Sequence, residues 1–189
     1  DLAQDVVRAK ALLDNHPEGF EQIGVLGISA GGWTMVRAEQ EVDFDFMISV
    51  VGPATSVQDQ QLQSAAYGSA FFGLSPKIQA RLVEYTNLMF DVPATEAGFR
   101  QLDGLLALSK EEGWYELLES TDIAEDAAGI EGLWVRRHQF DPKAVLETYS
   151  KPFLAVYGEQ DWIVPPKENI ELLKQYFKDR PENLTTIKA

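Results

Sequence analysis

The hydrophobic positions of this chain fall into short apolar runs separated by longer segments with helical spacing. Four runs have the length of strands and occupy residues 23–28, 46–51, 153–157 and 184–187. The first run is apolar on both faces, which is typical of a central strand in a parallel sheet. Apolar residues spaced three or four apart predict amphipathic helices over residues 1–14 and 31–40, and after Pro166. Strands that alternate with helices predict a mostly parallel α/β sheet with right-handed crossovers.

Residues 55–140 differ from this pattern because they show helical periodicity and no convincing strand. They lie between the second and third predicted strands, where a loop tolerates an insertion. The predicted organisation is therefore a first part of the α/β core over residues 1–54, a helical cap over 55–140, and a second part of the core over 141–189.

The composition limits the classes of protein to which the chain can belong. Its 189 residues are 45% hydrophobic and 11% aromatic, which suits a packed core. No apolar run approaches the roughly 20 residues of a membrane span. The chain has no Cys, which excludes disulfides, thiolate metal sites and a Cys nucleophile. Cysteine usage leaves the compartment open, and the cytoplasm is slightly favoured.

The charge excludes further classes. Lys and Arg number 16 against 30 Asp and Glu, a formal net charge of −14. This balance argues against nucleic acid and against an anionic membrane as partners, because both need a basic face. Residues 91–131 contain 11 acids against Arg100 and Lys110. We expect that segment to be a solvated helical surface, which would repel anionic substrates but not neutral or cationic ones.

The strongest chemical signal is the G-x-S-x-G motif centred on Ser29, with Gly27 and Gly31 on either side. A predicted buried strand precedes it and a helix follows it, which is the context of a nucleophile elbow. Glycines there let the strand and the helix approach closely, and the Ala30 N–H would face a developing oxyanion. The alternative is an ordinary strand–helix turn in which the serine caps the helix, and glycine-rich turns of that kind also bind phosphates.

A second signal is Asp161, which follows the third predicted strand. Catalytic groups of parallel α/β sheets gather where the strands end at their carboxyl side. A carboxylate at that edge can orient a His and stabilise its imidazolium. The alternative is a turn or helix-capping Asp before Pro165, and Glu159 is the second candidate for the acid.

With these residues the sequence resembles bacterial α/β-hydrolases, most closely esterases related to the serine aminopeptidase and dienelactone hydrolase groups. The resemblance implies Ser29 as nucleophile, the Ala30 N–H as an oxyanion donor and Asp161 as triad acid, in the order Ser, Asp, His. It spans nearly the whole chain, although residues 55–140 match only as a helical cap. The segments that carry it are Gly27-Ile28-Ser29-Ala30-Gly31-Gly32-Trp33, Val51-Gly52-Pro53, Asp141-Pro142, Lys151-Pro152-Phe153 and Gly158-Glu159-Gln160-Asp161-Trp162-Ile163-Val164-Pro165-Pro166.

The resemblance implies a His in a loop after residues 184–187, where this sequence stops. The chain has two His, His16 before the first strand and His138 at the end of the cap. We expect His16 to be a surface residue and keep His138 as the alternative base. The abrupt ends of the sequence favour a fragment of a longer protein, and a second oxyanion donor would come from strands before Asp1.

The remaining candidates concern the substrate and possible ligands. We expect Ile28 and Trp134 to contact the substrate, with simple packing as the alternative for Trp134. Asp43 and Asp45 are better explained as solvated loop charges than as metal ligands, and no cofactor or metal is predicted.

The sequence thus predicts a serine hydrolase that cleaves small carboxylic esters through an acyl-enzyme. Thioester and peptide hydrolysis are alternatives on the same site. A different class of alternative is a non-catalytic fragment. In either case we expect the chain to self-associate, or to pair with the missing N-terminal strands, because its first strand would otherwise expose an unpaired edge.

Overall fold

The computed structural model describes residues 2–118 and 123–189. The chain divides into two compact units. Unit 1 contains Asp1–Ser56 and Phe140–Ala189, and unit 2 contains Val57–Gln139. Unit 2 is therefore inserted in the sequence of unit 1, and Asp1 and residues 119–122 lie outside the described residues.

Unit 1 is an α/β unit built on one parallel sheet. Its strands pair in the order β1-β2-β3-β4, and each neighbouring pair is parallel. The strands are β1 (Val25–Ile28), β2 (Met47–Val50), β3 (Phe153–Tyr157) and β4 (Leu184–Lys188). The helices are α1 (Leu2–Asp14), α2 (Gly31–Glu39), α7 (Lys143–Leu146) and α8 (Pro166–Tyr176). All four predicted strands and the predicted parallel α/β class are confirmed.

The hydrophobic core of unit 1 lies on one face of this sheet. Alternate residues of β2 and β3 point into it, among them Met47, Phe153 and Tyr157. Helices α1, α2, α7 and α8 all contribute to the same cluster through Ala3, Met35, Val36, Ala38, Leu146, Leu173 and Tyr176. One layer of helices therefore covers one face of the sheet.

The first strand has the apolar composition of a central strand, but among the described residues it lies at an open edge of the sheet, as expected for this chain. β1 is an outer strand of the sheet, and the side chains of Leu26 and Ile28 are 55% and 60% exposed. The apolar run correctly indicates a strand. A run of apolar residues cannot show whether the chain supplies something to cover both faces.

All regular secondary structure among the described residues of unit 2 is helical. Its long helices are α3 (Val57–Phe71), α4 (Pro76–Asp91) and α5 (Glu96–Glu112), followed by two short 3₁₀ turns and α6 (Trp134–Arg137). Ser75 caps α4 by accepting the Ile78 N–H, with Pro76 at the first helical position, where its lack of an N–H costs nothing. Thr95 caps α5 in the same way through the Gly98 N–H. No described helix of the chain is long and apolar enough to cross a membrane.

Candidate active site

The predicted strained turn is present at Ser29. The residue directly follows β1 and has φ of 52°, in the left-handed region that a non-glycine residue rarely adopts. The turn is held from both sides. The Ser29 N–H donates to the Val50 carbonyl at 3.0 Å, and the Ser29 carbonyl accepts the Gly32 N–H at 2.8 Å. The Ser29 side chain is exposed at the carboxyl edge of the sheet, where a substrate can reach it.

The glycines of the motif contribute unequally to this turn. A Cβ added to Gly27 would lie 2.3 Å from the Gly31 carbonyl oxygen, so only glycine lets the start of α2 pack against β1. A Cβ on Gly32 would lie 2.8 Å from the Cα of Gly52, in the loop after β2. A Cβ on Gly31 would meet nothing within 4 Å. Glycine at positions 27 and 32 therefore lets α2 pack closely against β1 and against the loop after β2. The structure gives no steric reason for glycine at position 31.

The first turn of α2 leaves a backbone donor available beside Ser29. Ala30 is the N-cap residue of α2 and makes no side-chain cap hydrogen bond. Among the described residues, the Ala30 N–H donates to no other group. An unused N–H at a helix N-terminus attracts negative charge, because the helix dipole adds to the hydrogen bond. The local geometry thus suits an oxyanion next to Ser29.

A second strained residue lies beside Ser29, at the end of the neighbouring strand. Val51 follows β2 and has φ of 47°, which is unusual for a β-branched residue. The next residue, Gly52, is fixed by the buried Tyr157, whose hydroxyl donates to the Gly52 carbonyl at 2.9 Å. Burial raises the pKa of the Tyr157 hydroxyl well above its ordinary value, so it remains a donor. Because Gly52 touches Gly32, this bond supports the turn that carries Ser29.

The sequence analysis missed Asn169, which is fully buried in the first turn of α8. Its side-chain oxygen accepts the Ala54 N–H at 2.7 Å, and its side-chain nitrogen donates to the Pro165 carbonyl at 2.8 Å. The side chain thereby connects the loop after β2 with the loop after β3. A polar residue within an amphipathic helix gives no signal of this role.

Asp161 lies in the loop after β3, at the same edge of the sheet as Ser29. Its Oδ1 accepts the N–H groups of Ile163 and Val164, both at 2.9 Å. These bonds form a turn and orient the carboxylate. Asp161 is not the cap of α8, since Pro165 occupies that position. Among the described residues, its second oxygen, Oδ2, has no hydrogen-bond partner, so it can accept a further donor.

Glu159, the second candidate acid, is engaged elsewhere. Its carboxylate pairs with Lys188 at 3.1 Å, and its N–H donates to the Ala189 carbonyl at 2.7 Å. Both contacts direct it toward the outer strand β4. The geometry therefore favours Asp161 over Glu159 as the carboxylate of the site.

Each of the two His makes its contacts within its own unit. His16 is exposed in the loop before β1, where its ring lies 5.3 Å from that of Phe20. His138 belongs to unit 2, and its Nδ1 lies 2.9 Å from the Trp134 carbonyl oxygen. The rings of Trp134 and His138 stack at 4.8 Å. Trp134 thus has a stacking partner in its own unit, and its predicted contact with substrate stays a prediction.

The structure also gives the positions of the remaining predicted residues. Ile28 is exposed at the end of β1, directly before Ser29. Asp43 pairs with Lys151 at 2.5 Å, and Asp45 accepts the Ile23 N–H at 2.7 Å, at the opposite edge of the sheet. In the described part of the chain, no cluster of three or more acidic or His side chains could hold a metal ion.

An open groove of about 590 Å³ lies within unit 2, lined by Ala66, Pro76, Gln79, Ala80, Val83, Glu84, Asn87 and Leu88.

Comparison with known proteins identifies the fold. No protein-family model and no curated protein matches the sequence. The structure is similar to that of an esterase from Pyrococcus furiosus, with a TM-score of 0.53 and 17% identity. The match covers 99% of this chain and 52% of the esterase, so the chain spans about half the esterase's length. The chain has part of an α/β-hydrolase fold.

Two further solved structures with this fold resemble the chain less closely. An acylaminoacyl peptidase from Pyrococcus horikoshii has a TM-score of 0.48 at 17% identity, over 98% of this chain and 22% of the peptidase. A proline iminopeptidase-related protein from Thermus thermophilus has a TM-score of 0.48 at 13% identity, over 98% of this chain and 62% of that protein. The predicted α/β-hydrolase fold is confirmed by the match to the Pyrococcus furiosus esterase.

Proposed function

We propose that the protein is a serine hydrolase that cleaves carboxylic esters through an acyl-enzyme. The observation that carries this proposal is the strained turn at Ser29. Left-handed backbone at a non-glycine residue costs of the order of 1–3 kcal/mol, and it persists where the surrounding structure enforces it. The helix cap is Ala30 rather than Ser29, so the alternative role of the serine as a cap finds no support. An exposed hydroxyl beside an unused N–H is the arrangement that acyl transfer requires.

In this reaction the Ser29 oxygen attacks the acyl carbon while a His accepts its proton. The Ala30 N–H donates to the oxyanion that forms. The His returns the proton to the departing alkoxide, which leaves Ser29 acylated. Water, deprotonated by the same His, then releases the acid and restores the serine.

Asp161 is the carboxylate that we propose orients this His. Ser29 and Asp161 follow β1 and β3, which flank β2, so their strand ends lie roughly 10 Å apart. An imidazole with a hydrogen bond at each nitrogen spans about 8 Å. The separation therefore suits a bridging His rather than direct contact. We propose that the His comes from a longer form of the protein, with His138 as the alternative.

The test uses the protein expressed from its complete reading frame, with p-nitrophenyl acetate as substrate and a fluorophosphonate probe. Ser29→Ala should abolish both hydrolysis and labelling. Asp161→Asn should lower kcat by about 10³–10⁴-fold, because the His loses its orienting charge. The matched control is Glu159→Gln, which should retain kcat within about twofold, since that carboxylate only pairs with Lys188 on the surface.

Two outcomes would refute the proposal. One is hydrolysis that survives Ser29→Ala, and the other is a complete protein that neither hydrolyses esters nor reacts with the probe. Thioester and peptide substrates, assayed beside the ester, distinguish the alternative chemistries of the same serine.

A further inference from the structure

The left-handed turn at Val51 does not by itself explain why a valine makes it. With φ of 47° the backbone is strained for any residue that has a Cβ, and most of all for a β-branched one. Glycine would make the same turn without strain, and Gly52 follows directly. Residues strained in this way cluster at functional sites. The valine side chain therefore needs an explanation of its own.

Core packing does not supply that explanation. Among the described residues, the apolar side chains that form the core of unit 1 or pack against it do not include Val51. Val42, near the opposite end of β2, is half-buried to a similar degree and does pack against this core. The half-buried side chain of Val51 thus lies at the carboxyl edge of the sheet without a part in the core.

Val51 lies between the ends of the two strands that lead to the proposed nucleophile and carboxylate. Its N–H donates to the Val156 carbonyl of β3 at 2.7 Å. The carbonyl of the preceding residue, Val50, accepts the Ser29 N–H at 3.0 Å. Because β2 has β1 on one side and β3 on the other, Val51 is the strand-end neighbour of Ser29 on the side of β3.

The Asp161 side chain lies close to the end of β3. A Cβ added to Gly158, the residue after β3, would lie 3.7 Å from the Asp161 Cβ. The loop turns back at this point, since the Asp161 N–H donates to the Gly158 carbonyl at 3.3 Å. Ser29 and Asp161 therefore stand on either side of Val51, each about one strand spacing, or roughly 5 Å, from the end of β2.

An imidazole that joins Ser29 to Asp161 must pass over the end of β2. The outer strand ends lie roughly 10 Å apart, so the ring occupies the middle of that span, next to Val51. Aliphatic groups pack against a ring at about 3.5–4 Å. Such a contact restricts rotation of the ring and excludes water from its hydrogen bond to the carboxylate.

We propose that Val51 is a positioning residue, whose side chain supports one face of the imidazole that joins Ser29 to Asp161. This role rests on the proposed function, since it requires a His at this place, and it holds for either source of that His. It also accounts for the strained valine. Glycine would relax the backbone, but it would leave the ring without support.

The test uses the protein expressed from its complete reading frame and compares Tm with kcat for p-nitrophenyl acetate. Val51→Gly relieves the strain and removes the side chain. The Tm should therefore rise by about 2–4 °C, while kcat falls about 10–100-fold. KM should stay within about twofold, because the side chain acts through the His and not on the substrate. Val51→Ile retains the aliphatic contact and should keep at least about a third of kcat.

The matched control is Val42→Ala, because Val42 has similar burial but packs against the core at the other end of β2. It should lower the Tm by about 2–4 °C and leave kcat within about twofold. Val51→Ala removes the same two methyl groups and should lower kcat by about tenfold or more. Turnover is expressed per serine labelled by the fluorophosphonate probe, which removes any contribution from unfolded protein.

Three results would overturn this role and leave the proposed function intact, provided that the wild-type protein is active and Ser29→Ala is not. One is a kcat within about twofold of wild type for both Val51→Gly and Val51→Ala. Another is a loss of kcat that accompanies a lower Tm in both variants, which would assign Val51 to stability alone. The third is a loss that grows from p-nitrophenyl acetate to p-nitrophenyl butyrate, which would make Val51 a contact of the acyl chain.

A failure of the proposed function has a different signature. In that case the wild-type protein neither hydrolyses the esters nor reacts with the probe, and the role of Val51 fails with it.

Discussion

The side-chain oxygen of Asn169 accepts the N–H of Ala54 at 2.7 Å, although 115 positions separate the two residues. Ala54 belongs to the loop after β2, which touches the turn at Ser29 through Gly52. Asn169 lies in the first turn of α8, which follows the loop of Asp161. One buried amide thus connects the supports of the proposed nucleophile and of the proposed carboxylate.

Asn169→Ala should lower the free energy of unfolding by about 2–4 kcal/mol, because two buried hydrogen bonds are lost and the Ala54 N–H is left without an acceptor. Urea denaturation followed by circular dichroism measures the effect. Asn183→Ala is the control, since Asn183 makes one exposed side-chain bond to the Ser150 carbonyl and should cost less than about 1 kcal/mol. If the two variants lost the same free energy of unfolding, the buried side chain of Asn169 would contribute no more to stability than an exposed one.

The two glycines of G-x-S-x-G should respond in opposite ways to alanine. Gly27→Ala forces a Cβ to within 2.3 Å of the Gly31 carbonyl oxygen and should destabilise the fold by about 1–3 kcal/mol. Gly31→Ala meets open space at the start of α2 and should be neutral or stabilise by up to about 1 kcal/mol. The midpoints of urea unfolding compare the two. A large cost at Gly31 would contradict the conclusion that Gly27, and not Gly31, is needed for close packing of α2 against β1.

Ser29→Gly should stabilise the protein while it removes the proposed nucleophile. Glycine adopts φ of 52° without strain, and after its own entropic cost the gain should be about 1 kcal/mol. Ser29→Ala keeps the strain and should change stability by less than about 0.5 kcal/mol. Thermal unfolding monitored by calorimetry separates the two variants. If glycine proved no more stable than alanine here, the turn would not be strained.

Tyr157→Phe should change how stability depends on alkaline pH. Burial raises the pKa of this hydroxyl above its ordinary value of 10, so the folded state keeps a proton that the unfolded state releases. The stabilisation is complete below about pH 10 and falls by up to about 1.4 kcal/mol per pH unit above it. Tyr157→Phe should therefore be the less stable protein at pH 8, since the Gly52 carbonyl loses its donor, and the difference should shrink toward pH 11. A difference that stays constant from pH 8 to 11 would show that Tyr157 does not titrate as argued.

The 189-residue chain alone should hydrolyse p-nitrophenyl acetate very poorly. Loss of the base from a Ser–His–Asp triad costs of the order of 10⁶-fold in kcat, and loss of one oxyanion donor costs roughly 10²–10³-fold. These losses overlap, because the groups act as a unit. Turnover within about tenfold of the longer protein, abolished by Ser29→Ala, would contradict this expectation. His138→Ala would then be the next variant to measure.

The sequence predicts the parts of this fold that depend on local pattern. Each strand was recognisable from its apolar run, and the turn at Ser29 from the glycines around it. The strain at Val51 was not predictable, because a β-branched residue is the least expected one in left-handed backbone. The role of Asn169 and the exposure of Leu26 depend on contacts between segments that are distant in the sequence, and a local pattern of residues does not predict such contacts.

The insertion of unit 2 also sets an order of events during synthesis. β2 and β3 are neighbours in the sheet, but about a hundred residues separate them in the chain. At roughly 5–20 residues per second, the ribosome needs about 5–20 s to reach β3 after β2 is made. Throughout that interval β2 lacks its neighbour β3, so of the four described strands only β1 and β2 can pair, and two strands alone are barely stable. Since the Val51 N–H donates to the Val156 carbonyl of β3, the strained edge around Ser29 is completed only after the whole insertion has been translated.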